Sequence, residues 1–78
     1  MTVKLTLTDA LTRNSIRMEM NGDERIREIV DIVREYWGQQ DIILVEGYRI
    51  LDVSKTVSES VSDGDELVAI PDIGEITT

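Results

Sequence analysis

The chain has 78 residues, 41% of them hydrophobic and 31% charged, with 16 acidic against 8 basic side chains for a formal charge of −8. That is apolar material for one small core, and the absence of Cys and His excludes disulfides, thiolate or imidazole zinc ligands, Cys nucleophiles and His acid–base catalysis. An acidic balance without a basic patch argues against nucleic acid and anionic membranes as direct partners, so the composition predicts an acidic monomer that is not an enzyme and needs no cofactor or metal.

Thr2 to Thr8 alternates, with Val3, Leu5 and Leu7 apolar and Lys4, Thr6 and Thr8 polar, which makes a half-buried strand. Asp9 to Asn14 holds turn formers, and alternation resumes at Ile16, Met18 and Met20, so the two runs form an antiparallel hairpin. Asn21-Gly22-Asp23-Glu24 ends that ribbon and carries helix-starting chemistry, with Asn21 or Asp23 placed to cap free N–H groups. At 100° per residue, Ile26, Ile29, Val30, Val33 and Trp37 share one stripe, and Gly38 follows where a left-handed C-terminal cap is needed. Tyr36 sits at the edge of the stripe and Ile32 off it.

Ile42 to Val45 is a short β-branched-rich run, and Glu46-Gly47 turns it into a brief fourth strand at Tyr48-Arg49-Ile50. Val53, Val57 and Val61 recur every four positions in a Ser- and Thr-rich stretch, as expected of a loop with one helical turn. Asp63-Gly64-Asp65 is a tight turn, Glu66 to Ile70 a closing strand, and Pro71, which has no N–H, ends it. No apolar run approaches the roughly 20 residues of a membrane span, and the N-terminus lacks a signal-peptide stretch, so a cytoplasmic location is expected. The order ββαββ with one amphipathic helix leaves that helix a single partner. The predicted fold is α+β, a β-grasp with a mixed four- to five-stranded sheet and the helix across one face. Residues 1–70 form the domain and residues 71–78 a flexible C-terminal tail.

Over Thr2 to Ile70 the chain resembles the ubiquitin-like proteins. Val61-Ser62-Asp63-Gly64-Asp65-Glu66-Leu67-Val68-Ala69-Ile70-Pro71 is similar to the DGDEVAxxPP ending of prokaryotic sulfur carriers. Ile43 to Ile50 also resembles the strand–turn–strand of those carriers. The branch suggested is that of the molybdopterin-synthase small subunit, the thiamine sulfur carrier and the small archaeal modifiers. Those families finish in Gly-Gly, whose carboxylate is adenylated by an activating enzyme; here Gly74-Glu75-Ile76 stands in that region. The resemblance thus implies a non-conjugating member that acts as a docking surface. A divergent sulfur carrier or small protein modifier is the alternative, and a small structural subunit of an enzyme complex a third reading.

With Leu67 and Ala69 facing the helix, Val68 and Ile70 face away, and placing Ile43 and Val45 inward leaves Ile42 and Leu44 outward. Ile42, Leu44, Val68 and Ile70, with Leu11 at the edge, are therefore the candidate partner-binding residues. The position of this area resembles the hydrophobic recognition patch of ubiquitin, with Leu44 and Ile70 at the matching places. Two competing readings are that Ile73 and Ile76 fold over this area, or that the strand register differs by one and buries it. Asp63 and Asp65 lack the further oxygen ligands of a calcium loop.

Overall fold

In the computed structural model, which describes residues 1–38 and 42–71, the elements are β1 (Thr2–Asp9), β2 (Ser15–Asn21), α1 (Ile26–Trp37), β3 (Ile42–Glu46), β4 (Arg49–Ile50), α2 (Val57–Ser60) and β5 (Glu66–Pro71). They build one sheet in the order β2-β1-β5-β3-β4. β1 and β5 run parallel, and every other neighbouring pair is antiparallel. This is the β-grasp expected from the element order, with β5 reaching Pro71, one residue further than expected. Among the described residues no helix is long and apolar enough to cross a membrane.

The alternating residues Val3, Leu5 and Leu7 meet Leu67, Ala69 and the helical Ile26, Ile29 and Val33 in one buried cluster. Each of the Val, Leu and Ile side chains contributes about 1.5–3 kcal/mol by leaving water. Val30 and Trp37 pack on this cluster from its margin and remain partly exposed, so Trp37 covers the core without being enclosed by it. Tyr36 and Ile32 stay on the surface of α1.

The Asp63-Gly64-Asp65 turn is clipped to β1. Lys4 N–H donates to Asp63 Oδ1 at 2.7 Å, Gly64 N–H to Lys4 O at 2.7 Å, and Thr6 N–H to Asp65 O at 3.1 Å. Gly64 has φ 90°, a region open to glycine and strained for other residues.

The start of α1 differs from expectation. Its N-cap is Arg25, which makes no side-chain cap bond, so α1 begins after both expected caps, Asn21 and Asp23. Upstream, Glu24 closes a turn on the Asn21 backbone: Glu24 N–H donates to Asn21 O at 3.1 Å, and Asn21 N–H to Glu24 Oε1 at 3.4 Å. The free N–H groups of the first turn are satisfied instead by the distant loop before α2, with Ile26 N–H to Lys55 O at 2.9 Å and Arg27 N–H to Val53 O at 3.1 Å. Bonds run the other way as well, from Val57 N–H to Glu24 O at 2.7 Å and from Ser58 N–H to Gly22 O at 2.9 Å. α2 itself starts on a capping box between Thr56 and Glu59, a Thr-x-x-Glu signature that is plain in the sequence. At the other end of α1, Gly38 takes φ 66° and donates to Arg34 O, as expected.

Candidate functional site

β3 presents the face opposite to the one expected. Ile42 and Leu44 point into the core, 7% and 2% exposed, while Ile43 and Val45 are the half-buried pair on the open side. Four consecutive apolar residues fit a strand in either phase, and pairing chooses between them. Leu44 lies opposite Ala69, Ile43 opposite Ile70 and Val45 opposite Val68. Directly opposed residues share a face, so the small inward Ala69 leaves room for the larger Leu44. The following turn enforces the same phase, since Val45 pairs with Ile50 and Leu51 N–H donates to Leu44 O at 2.8 Å, carrying Leu51 into the core.

Of the five expected surface residues, Val68 and Ile70 therefore line the open face, Leu11 is exposed at its edge, and Ile42 and Leu44 are core. The residues missed are Ile43, Val45 and Ile50. The two-residue turn at Gly47-Tyr48 is the available signal that Val45 and Ile50 are partners. Gly47 has φ 64°, as the first central residue of such a turn requires, and Tyr48 is fully exposed at its tip.

The result is a continuous apolar area across three strands, running from Val68 and Ile70, 37% and 39% exposed, over Ile43 and Val45 to Ile50, 70% exposed. At one end the β1–β2 loop stands beside β5, because Ala10 N–H donates to Ala69 O at 3.0 Å. That loop is held from within by the buried Asp9. Its carboxylate accepts Leu11 N–H and Thr12 Oγ–H, both at 3.0 Å, and its backbone O accepts Arg13 N–H at 2.8 Å. Leu11, 72% exposed, is thus presented by a fixed loop. At the other end Arg49 bonds to Glu46 at 2.6 Å and to Ser60 O at 2.7 Å, tying β4 to the end of α2.

The other half of the open face is polar. Lys4, Thr6 and Thr8 lie opposite Glu19, Arg17 and Ser15, and Thr6 is level with Glu66 on β5. Lys4 and Arg17 balance Glu19 and Glu66, so this face is close to neutral on a chain of formal charge −8. The acidic excess lies elsewhere. Two carboxylates sit below their ordinary pKa: Asp52 through hydrogen bonds from Ser54, and Glu59 through hydrogen bonds from Thr56. Both serve turns around α2. Among the described residues no group of His, Cys, Asp or Glu is placed to hold a metal. Ile73, Gly74, Glu75 and Ile76, on which the tail readings turn, lie outside the described residues.

No family model matches the chain, and no curated protein matches it. Solved structures do. Caldiarchaeum subterraneum ubiquitin superposes with a TM-score of 0.81 at 18% identity, over 100% of both chains. The UBL domain of Plasmodium falciparum Dsk2 gives 0.77 at 12% identity, over 90% of this chain and 97% of that one. A chain from the crystal structure of ATBAG1 in complex with HSP70 gives 0.80 at 15% identity, over 91% of this chain and 41% of that one. At these identities the likeness is one of architecture, and the chain has the ubiquitin-like β-grasp fold.

Proposed function

We propose that the chain is a non-enzymatic ubiquitin-like interaction module that docks a protein partner on the apolar half of its open sheet face. The observation that carries this reading is the pair of adjacent cross-strand couples, Ile43–Ile70 and Val45–Val68. They place four aliphatic side chains on a face that no element of the described fold covers. Polar residues there would leave the core untouched, as Lys4, Thr6 and Arg17 do on the same face; an apolar area with a polar border is the usual form of a protein-binding site. Similarity to a chain solved in complex with HSP70 supports a protein as the occupant.

The test compares proteins of the native host retained by the immobilised wild-type chain with those retained by Ile70→Glu and by Arg27→Glu, the latter on the opposite, helical side. The reading requires a specific protein that binds the wild type and Arg27→Glu and is lost from a folded Ile70→Glu. Equal retention by all three chains overturns it.

A further inference from the structure

We propose that β2 pairs with β2 of a second copy of this chain, antiparallel and centred on Met18, to form a two-fold symmetric dimer whose sheet runs through both copies. The two edges of the sheet are built differently. β4 is two residues long, too short to template another strand. β2 offers seven residues without proline, lysine or a break in register, and the charges it carries, Arg17 and Glu19, are of opposite sign, so they can pair rather than repel.

The ladder shows which backbone groups are available. Asp9 N–H donates to Asn14 O and Gly22 N–H to Met1 O, each at 2.8 Å. The even-numbered residues of β2 therefore direct their backbone toward β1, and regular alternation turns Ser15, Arg17, Glu19 and Asn21 outward. Asn21 N–H is taken by Glu24. In a pairing centred on Met18, Arg17 lies opposite Glu19 of the other copy and Glu19 opposite Arg17. Both couples exchange N–H···O bonds, which makes four new backbone bonds.

Side chains select the same register. Arg17 and Glu19 point to the open face, and neither is in an ion pair among the described residues. The symmetric pairing sets each against its opposite charge, extending the row that begins with Lys4 opposite Glu19. On the helix side, Met18 meets its own copy and the half-exposed Ile16 meets Met20. A shift by two residues in either direction breaks the charge match. The interface is self-complementary, as a closed dimer requires.

Sedimentation equilibrium of the intact chain over a wide concentration series tests this. The wild type should rise from 8.8 kDa toward twice that mass. Arg17→Glu and Glu19→Arg, each folded by circular dichroism, should associate at least roughly tenfold more weakly, since like charges then face each other at both symmetric positions. An equimolar mixture of the two variants, and the double swap Arg17→Glu/Glu19→Arg, should associate as the wild type does. A wild type that stays monomeric throughout overturns the proposal and leaves the edge to a foreign strand or to none. Association unchanged in both single variants, or lost in them without rescue by the mixture and the double swap, overturns it as well.

Discussion

The carboxylate of Asp63 accepts the backbone N–H of Lys4 at 2.7 Å, across a sequence separation of 59 residues. With Gly64 N–H bonded to Lys4 O in return, this couple sets where β5 begins against β1, and so which residues of β5 face outward. Asp63→Ala should lower stability by about 0.5–1.5 kcal/mol, read as a lower urea midpoint with an unchanged slope. Asp63→Asn keeps an acceptor oxygen and should recover most of the loss; no loss in either variant would show that the bond is idle, and equal losses that the charge rather than the acceptor carries it.

Leu44 and Ile70 are expected to respond oppositely to substitution. Leu44 is enclosed, so Leu44→Ala should cost about 2–5 kcal/mol, and Leu44→Glu should prevent folding by burying an unpaired charge. Ile70→Glu places its carboxylate in water and should shift the thermal midpoint only slightly. A cooperative, folded Leu44→Glu would mean that β3 is inverted.

Thr56→Ala removes one half of the capping box and should cost about 1 kcal/mol. Glu59 should report the change directly. Its carboxylate is held below the usual value of 4.5 by hydrogen bonds from the Thr56 backbone and side chain, so the folded chain binds this proton less readily than the unfolded one. The associated stability is present above that usual value and disappears as pH falls through the lowered, folded one. In the variant the backbone bond survives and the hydroxyl bond does not, so the Glu59 carboxyl resonance should titrate part-way back toward 4.5. Identical titration in both chains would exclude the hydroxyl contribution.

Gly22 is buried where the β2–α1 turn crosses α2, and a Cβ built on it comes 3.1 Å from Ser58 Cβ. Gly22→Ala should destabilise by about 1–3 kcal/mol through crowding. Ser58→Gly opens that space, so the double variant should be less unstable than the two single losses added together. Strict additivity in chemical denaturation would place the strain elsewhere.

The parts of the fold that repeat a pattern are legible in the amino-acid order itself. Period-two alternation marks β1 and β2, the 3.6-residue stripe marks α1, and Gly38 and Gly64 mark a helix end and a turn. What the order of residues leaves open shares one property, dependence on a distant partner. Ile42-Ile43-Leu44-Val45 carries no polar residue to distinguish its faces, so the choice of Leu44 as core comes from Ala69 across the sheet. Likewise Asn21 and Asp23 have the chemistry of helix caps, yet α1 takes its first carbonyl partners from Val53 and Lys55. Leu11, Val68 and Ile70 are therefore surface residues as expected, while the β3 share of the surface is displaced by one residue.

Of the described strands, the one synthesised last, β5, occupies the middle of the sheet. Until Glu66–Pro71 has been added, a growing chain holds β1–β2 and β3–β4 as two separate ribbons, each too small to be stable in water. Leu5, Leu7 and Leu44 then have no shared interior to enter. The ribosome must thus release nearly the whole domain before the single sheet and its shared core can form, and the nascent chain presents unpaired strand edges to chaperones for most of its translation. A chain released after Gly64 should remain unfolded by circular dichroism however long it is left, and should regain structure when a synthetic peptide of residues 65–71 is supplied.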